Sequence, residues 1–306
     1  MWVLGMIATL LVAPGGDWRE PDTGVPGELT EITSPGYGTA YALGTSAAKP
    51  LLLTWAGHQW KRAAPPLPEN ALLTGVSAAA PDDADVTGFS GQTPLALHWD
   101  GASWTPRPFA EPLPGFPRAI DAGWIVGSTS GFAGTQAAAW RRTGGTWTPV
   151  TVPGGPGSGL VAIDGGNAVG TRLDHALIVR WDGTRWIEET PDLGPDAELT
   201  DVAGDYAVGT RRKAPLVLHR ENGTWKPVTA PKTLSAGLTS VAPDGSGGIW
   251  AAGRAGFHHY DGTAWTLSPE RGTVRALALT RGTSFLWAAG GKDGRAVTWT
   301  TAPRPR

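Results

Sequence analysis

The residues with the best spacing for chemistry are Arg172, Asp174 and His175, three polar side chains within four positions. A histidine titrates near neutral pH and a carboxylate can orient it, so Asp174 and His175 are the best acid–base candidates. Adjacent residues rarely orient each other well, and no nucleophile is evident beside them. The alternative interpretation is a histidine exposed on a loop.

Other cationic residues follow at corresponding places later in the chain. Planar guanidinium groups suit carboxylate, sulfate or phosphate groups, so the pattern indicates a site for an anionic ligand. A solvated loop rim, partly neutralised by nearby acidic residues, is the alternative. The predicted ligand-binding residues are Arg172, Asp174, His175, Arg211, Arg212, Arg254, Lys292 and Arg295.

No metal or cofactor is predicted. His98, His219 and His259 hold one repeat position in different repeats, so we expect them to lie apart in space. The stretch 82–85 lacks the alternating ligand spacing of a calcium loop, and we predict a polar turn there. No phosphate-cradling loop and no nucleophile elbow is present.

A repeat of about 37–44 residues positions these groups. Each copy has an apolar strand of the type Leu-Thr-x-Val, then aromatic-Ala-Val-Gly, then a third strand that ends in Trp, and a fourth that begins with Trp. The glycine of the second strand recurs seven times, at Gly44, Gly88, Gly127, Gly170, Gly209, Gly253 and Gly290. Seven four-stranded units of this length predict an all-β, seven-bladed β-propeller.

The stretch Trp181-Asp182-Gly183-Thr184-Arg185-Trp186 and its copies predict a hairpin between the third and fourth strands. Asp-Gly is typical of a type I′ turn, which needs positive φ at both central residues. Nearly all of the 16 Trp residues hold repeat positions, so we assign them to packing between blades. Asp85 and Asn167 replace the second-strand aromatic residue and are site candidates if they face the channel.

The last repeat ends after its third strand. Residues 17–21, Asp-Trp-Arg-Glu-Pro, match the fourth-strand pattern and precede the first repeat. We therefore predict that this N-terminal strand completes the last blade and closes the ring, which leaves no open edge.

Composition limits the function classes. A net charge of −2 provides no global field toward nucleic acid or an anionic membrane, and the absence of Cys excludes disulfides and thiolate chemistry. Residues 2–13 form an apolar run that is too short to span a membrane. We expect a signal peptide over 1–16, without the usual basic start, and a single propeller domain over 17–306; a buried N-terminal strand is the alternative.

These Ala-Val-Gly and Trp-Asp-Gly-Thr-x-Trp repeats resemble those of secreted bacterial, especially actinobacterial, β-propellers, over about residues 17–306. The resemblance implies a seven-bladed fold and carries little about activity.

We expect a secreted, monomeric, non-catalytic binding module with its ligand on the loop face near blades 4–7. The expected ligand is an anionic glycan, peptide or protein, with no nucleic acid and no stable membrane insertion. The alternatives are a secreted lyase or hydrolase acting on an acidic polysaccharide or specialised metabolite, and a purely structural envelope protein. A deep polar pocket would favour the enzyme, and a flat basic face would favour the binder.

Overall fold

The computed structural model describes residues 18–111, 114–131, 134–231, 234, 237–254, 256–268 and 272–301. The predicted signal peptide lies outside these ranges. None of the described residues forms a helix that is long and apolar enough to cross a membrane.

Short strands carry the whole described fold. Blade 1 consists of β1 (Glu28–Gly36), β2 (Thr39–Ser46), β3 (Lys49–Ala56) and β4 (Trp60–Ala63). Blade 2 consists of β5 (Ala71–Ala80), β6 (Asp83–Ser90), β7 (Thr93–Trp99) and β8 (Trp104–Pro106). Blade 3 consists of β9 (Gly115–Asp121), β10 (Trp124–Gly131), β11 (Gly134–Thr143) and β12 (Thr146–Val150). Blade 4 consists of β13 (Ser158–Asp164), β14 (Asn167–Arg172), β15 (His175–Trp181) and β16 (Trp186–Glu188). Blade 5 consists of β17 (Ala197–Ala203), β18 (Tyr206–Arg211), β19 (Ala214–Glu221) and β20 (Thr224–Pro227). Blade 6 consists of β21 (Leu238–Pro243), β22 (Ile249–Gly253), β23 (Gly256–Tyr260) and β24 (Trp265–Leu267). Blade 7 has three strands of its own, β25 (Thr273–Leu279), β26 (Leu286–Lys292) and β27 (Arg295–Thr300).

The strands form seven antiparallel sheets in sequential order, which confirms the predicted seven-bladed propeller. The first strand of each blade contacts the first strand of the next, and β25 of the last blade contacts β1 of the first. The seven first strands therefore surround a central channel. Turns between the first and second strands lie at one end of this channel, and turns between the second and third strands lie at the other.

The repeated glycine has a steric cause. Each first strand carries a β-bulge at the Thr of Leu-Thr-x-Val or its equivalent, as between Leu199 and Asp201. The bulge pushes a first-strand carbonyl oxygen against the second strand. A Cβ atom at Gly170 would clash with the carbonyl oxygen of Gly159, and five further repeat glycines show the same clash. At Gly253 the approach is looser, 2.8 Å to the carbonyl oxygen of Gly237. Only glycine fits beside such a bulge.

Packing between blades forms the core, and each of the seven buried apolar clusters spans one blade junction. The second-strand aromatic residue of one blade packs against the third- and fourth-strand pair of the next. Trp124 lies 4.8 Å from Trp181 and 5.0 Å from Trp186, measured between ring centroids. Trp287 contacts Trp55 and Trp60 in the same way. The Trp side chains are thus inter-blade wedges, in agreement with the repeat pattern.

The Asp-Gly hairpin differs from the predicted type I′ turn. Trp181 and Trp186 are the last paired residues, so four residues form the loop, and only Gly183 has positive φ. Asp182 acts instead through its carboxylate, which accepts hydrogen bonds from the backbone of Thr184 and Arg185 and from the Thr184 hydroxyl. These bonds lower the pKa of Asp182 to about 2. Asp therefore recurs in this motif because its carboxylate accepts hydrogen bonds within the loop, and not because the residue adopts a left-handed backbone conformation.

The ring closes as predicted and over a longer segment. Arg19 and Thr300 exchange two backbone hydrogen bonds of 2.8 and 2.9 Å. Contacts with β27 continue through Val25, whose carbonyl oxygen accepts from Ala296, to Gly27. Trp18 stacks on Phe257 with ring centroids 4.3 Å apart. The N-terminal segment thus completes the last blade; Asp17 lies outside the described residues.

Candidate functional site

The central channel contains a polar cavity of about 430 Å³ that is partly open to solvent and is lined by the first strands of all seven blades. The residue that follows each bulge contributes to this lining. Five of the seven are Gly75, Ala119, Ala162, Ser240 and Ala276, which are small, and the other two are Glu31 and Asp201. Two carboxyl groups from blades 1 and 5 therefore share a space that the other blades leave open.

Asp201 is held rigidly. Its carboxylate accepts hydrogen bonds from the Ser240 hydroxyl (2.6 Å) and from the backbone N–H groups of Val241 and Val202 (2.9 Å each). Ser240 in turn accepts a hydrogen bond from the backbone N–H of Leu277 in blade 7. Burial raises the pKa of Asp201 to about 6, although these hydrogen bonds oppose the shift.

Glu31 has a different environment. No hydrogen bond or ion pair joins its carboxyl group to any residue in the described part of the chain. The group lies deep between the inner strands, and the side chain keeps part of its surface open to the lumen. Burial and the negative charge of Asp201 raise the pKa of Glu31 to about 8. At neutral pH Glu31 is therefore mostly protonated and Asp201 mostly ionised, a difference that suits binding or proton transfer.

Two further carboxylates lie at the end of the channel where the first strands finish. Asp121 accepts from the Ser77 hydroxyl and from the N–H of Gly165, and Asp164 accepts from the N–H of Gly204 at 2.6 Å. Each carboxylate thus ties one blade to the turn of the next. Burial raises the pKa of Asp121, although its hydrogen bonds oppose the shift.

Two arginines also reach the channel. Arg275 forms an ion pair with Glu28 (2.7 Å) toward the opposite end. Arg281 follows β25; its backbone N–H donates to the carbonyl oxygen of Ser34 in blade 1, and its guanidinium donates to the carbonyl oxygen of Ala79 in blade 2.

The structure places the eight residues of the predicted loop site in four consecutive blades at the end with the turns between second and third strands. Four of them are ion-paired with carboxylates of this chain. The pairs are Arg172–Glu188 (3.0 Å), His175–Asp174 (2.7 Å), Lys292–Glu20 (3.7 Å) and Arg295–Asp22 (3.4 Å). His175 and Asp174 are more than half exposed, and no hydroxyl group among the described residues bonds to them.

The remaining predicted cations lie in blades 5 and 6. Arg212 and Arg254 are exposed, Arg211 is half-buried, and Lys213 extends the same turn. Within the described ranges, no carboxylate forms an ion pair with any of these four. We call Arg211, Arg212, Lys213 and Arg254 the basic turn cluster.

Asp85 does not line the channel. It lies at the junction of blades 2 and 3, where Arg142 (2.9 Å), Arg107 (3.1 Å) and His98 (3.1 Å) contact its carboxylate. Asp83, Asp85 and His98 could together ligate a metal ion. The two guanidinium groups already compensate the charge of Asp85, so we assign this cluster to inter-blade packing. Burial raises the pKa of Asp85, against the effect of these arginines.

Asn167 does not line the channel either. It donates to the carbonyl oxygen of Gly204 at the junction of blades 4 and 5. The same junction contains Glu189 between Arg180 (2.7 Å) and Arg220 (3.0 Å). Where the aromatic wedge is missing, polar contacts therefore join the blades.

The channel carboxylates were missed from the sequence. Their signal is the x position of Leu-Thr-x-Val, which carries Gly, Ala or Ser in five blades and an acid only at Glu31 and Asp201. The repeat pattern alone did not reveal this signal, because nothing in two copies 170 positions apart indicates that their x residues face one cavity.

No protein-family model matches the chain, and none of the curated proteins compared with it is similar in sequence. Solved structures are similar in fold. They include YCF48 bound to a D1 peptide (TM-score 0.67, 16% identity, 94% of this chain and 97% of that one) and a streptogramin B lyase (0.69, 15%, 92% and 96%). The WD40 propeller domain of Doa1 is a third (0.59, 10%, 93% and 97%). At these identities the likeness shows the propeller fold alone.

Proposed function

We propose that the protein is a non-catalytic binding propeller that holds an anionic polymer on the basic turn cluster. The observation that carries this proposal is the unpaired charge of Arg212, Lys213 and Arg254, whereas four predicted site residues in blades 4 and 7 contact carboxylates of the same chain. Arginine side chains match carboxylate or sulfate groups with paired hydrogen bonds. An acidic glycan or an acidic protein segment presents such groups in series.

The turn backbone supports the same assignment. Arg212 and Lys213 both adopt positive φ, 50° and 67°, in the two-residue turn between β18 and β19. Such turns favour Asn, Asp or Gly, and blade 7 uses Asp293-Gly294 at the equivalent place. Blade 1 places Ala47 and Ala48 in the same turn conformation, so the turn does not require long cationic residues, and a role for their side chains in binding accounts for Arg212 and Lys213.

Among the structures similar in fold, YCF48 bound to a D1 peptide is consistent with a binding role, whereas the streptogramin B lyase corresponds to the enzyme alternative. A lyase or hydrolase centred on His175 is less well supported, because the exposed Asp174–His175 pair has no nucleophile or second polar partner among the described residues. Secretion, inferred from residues 2–13, belongs to the proposal and is tested by locating the protein in culture medium or cells.

Binding of the full chain to immobilised sulfated and carboxylated glycans and to acidic peptides tests the proposal. We expect binding that weakens with salt and weakens at least about tenfold when Arg212, Lys213 and Arg254 are changed together to Gln, since three exposed ion pairs contribute roughly 0.5 kcal/mol each. The charge-matched control changes the exposed Lys61, Arg62 and Arg185 to Gln.

Equal binding by the cluster variant and the wild type would overturn the proposal. Turnover of a bound glycan that His175→Ala abolishes would favour the enzyme instead. Binding to peptides without binding to glycans would identify the polymer as protein.

A further inference from the structure

The channel contains a second site, separate from the basic turn cluster. We propose that it binds a small organic cation, with the ammonium group of the ligand held between the carboxyl groups of Glu31 and Asp201.

The first argument is space. The channel cavity has a volume of about 430 Å³, which is within the range of small-ligand pockets. Gly75, Ala119, Ala162 and Ala276 occupy the positions equivalent to Glu31 in their own blades. Their small side chains leave room beside the two carboxyl groups that larger residues would fill.

The second argument is the contrast between the two acids. Three hydrogen bonds fix the Asp201 carboxylate before any ligand arrives. Glu31 faces the lumen and has no hydrogen-bond partner among the residues that the structure describes. Because part of the Glu31 side chain is open to the lumen, its carboxyl group is free to bond with a ligand that enters the channel. An ammonium group carries three donors and can satisfy both acids.

The third argument is charge. The titratable groups that line the channel are Glu31 on β1, Asp121 on β9, Asp164 on β13, Asp201 on β17, Arg275 on β25 and Arg281 after it. The polar side chains that strands β5 and β21 contribute to the lining are hydroxyl groups only, those of Ser77, Thr239 and Ser240. Glu28 neutralises Arg275, so the four carboxyl groups of the lining face one uncompensated arginine, Arg281, whose guanidinium donates to the carbonyl oxygen of Ala79. The cavity is therefore acidic and favours a cation over an anion.

A metal ion fits less well. Among the described residues, the only three ligating side chains that approach within 4.8 Å of one another are Asp83, Asp85 and His98, and none of them lines this cavity. An organic ammonium group, which binds through hydrogen bonds and charge without a fixed ligand number, suits the two carboxyl groups better.

Proton linkage gives the proposal a specific signature. Glu31 holds its proton at neutral pH, so an ammonium group must displace that proton on binding. We expect the affinity to rise with pH from 6 to 8, by at most about tenfold per unit, and to fall further below pH 6 as Asp201 takes up its own proton.

Calorimetric titration of the full chain with 1,4-diaminobutane tests this, with 1,4-butanediol as the neutral probe of equal length. At pH 7, in two buffers of different ionisation enthalpy, we expect the diamine to bind with release of about one proton, and the diol not to bind. Glu31→Gln should weaken binding at least tenfold and abolish proton release. Glu198→Gln, which removes an exposed carboxylate, should bind like the wild type.

Absence of diamine binding at millimolar concentration, equal binding of the diol, or unchanged binding in the Glu31→Gln variant would overturn the proposal. Asp201→Asn provides a second variant, and circular dichroism verifies that both variants fold. The basic turn cluster is untouched in these experiments, so their failure leaves the proposed function of the loop face standing.

Discussion

Glu31 is the residue whose chemistry departs furthest from its ordinary behaviour. Its pKa of about 8, against an ordinary value of 4.5, means that the folded chain retains a proton that the unfolded chain has lost. The stability that neutral Glu31 contributes is fully present below pH 4.5 and is lost as pH rises through 8. Ionisation of Glu31 in the channel therefore lowers the free energy of unfolding at alkaline pH, and a bound cation would offset this loss.

Glu31→Gln should remove this penalty. We expect the variant to match the wild type near pH 4 and to be more stable by about 2 kcal/mol at pH 9, a value reduced from the full shift because the lumen admits solvent. Urea unfolding across this pH range measures the difference, with Glu198→Gln as the control. A difference that is independent of pH would contradict the assignment of the raised pKa to Glu31.

Ser240 affects the pKa of Asp201, the second carboxyl group of the proposed channel site. Its hydroxyl donates to Asp201 and lowers the pKa of that carboxyl against the effect of burial. Ser240→Ala should therefore raise the pKa of Asp201 above about 6, as followed by carboxyl chemical shifts in an NMR titration. Ser246→Ala, on an exposed turn of the same blade, should leave it unchanged. An unchanged pKa in the Ser240→Ala variant would show that the backbone N–H groups alone set the value.

At the scale of the strand, the repeat motif Leu-Thr-x-Val produces a β-bulge that links neighbouring blades. Leu-Thr-x-Val places a bulge at the Thr, and its hydroxyl then reaches the first strand of the next blade. Thr200 donates to the carbonyl oxygen of Leu238 (2.8 Å), and Thr239 donates to that of Val274 (2.9 Å). One local irregularity thus joins neighbouring blades, excludes a side chain from the second strand and turns the x residue toward the channel.

Gly170→Ala should destabilise the chain by about 3 kcal/mol or more, because the new Cβ meets a backbone carbonyl that cannot move without breaking the bulge. Gly253→Ala should cost less, since its nearest atom lies 2.8 Å away. Gly36→Ala, with open space around it, is the matched control. Chemical unfolding ranks the three variants, and equal losses at all three positions would refute the steric explanation.

At the scale of the whole molecule, the stability of the propeller depends on closure of the ring between its N-terminal segment and its last blade. The last blade obtains its outer segment from the N-terminal end, so residues more than 270 positions apart form one sheet edge. Trp18 is buried in the blade 6–7 junction with Trp250, Phe257 and Trp299. A gap there would expose both the blade edge and the apolar faces beside it.

Trp18→Ala should cost about 3–5 kcal/mol, as expected for a large cavity at a buried junction. Trp104→Ala, at the corresponding fourth-strand position in blade 2 but half-exposed, should cost clearly less. Thermal and urea unfolding compare the two, and size-exclusion chromatography detects association through an opened edge. Equal losses would show that closure adds nothing beyond ordinary burial.

The sequence by itself determined the number of blades, the strand order within each and the closing role of the N-terminal segment. These properties follow from local patterns, since glycine, tryptophan and Asp-Gly positions repeat with the period of one blade and each blade packs only against its neighbours. The eight residues of the loop site could also be placed on one face, because equivalent turns of a propeller lie together.

Which of those cations are available was decided by the tertiary structure. Lys292 and Arg295 meet Glu20 and Asp22, carboxylates that only ring closure brings beside them. The turn geometry at Asp182 also required the structure, because the same dipeptide serves a two-residue turn or a four-residue loop.

The channel was likewise decided only by the tertiary structure. Glu31 and Asp201 are 170 positions apart and lie on blades that share no interface. Both line one cavity because seven blades curve into a ring and because a bulge in each first strand turns the x residue inward. The resulting pKa values depend in turn on burial by strands from every blade, and no local pattern contains that information.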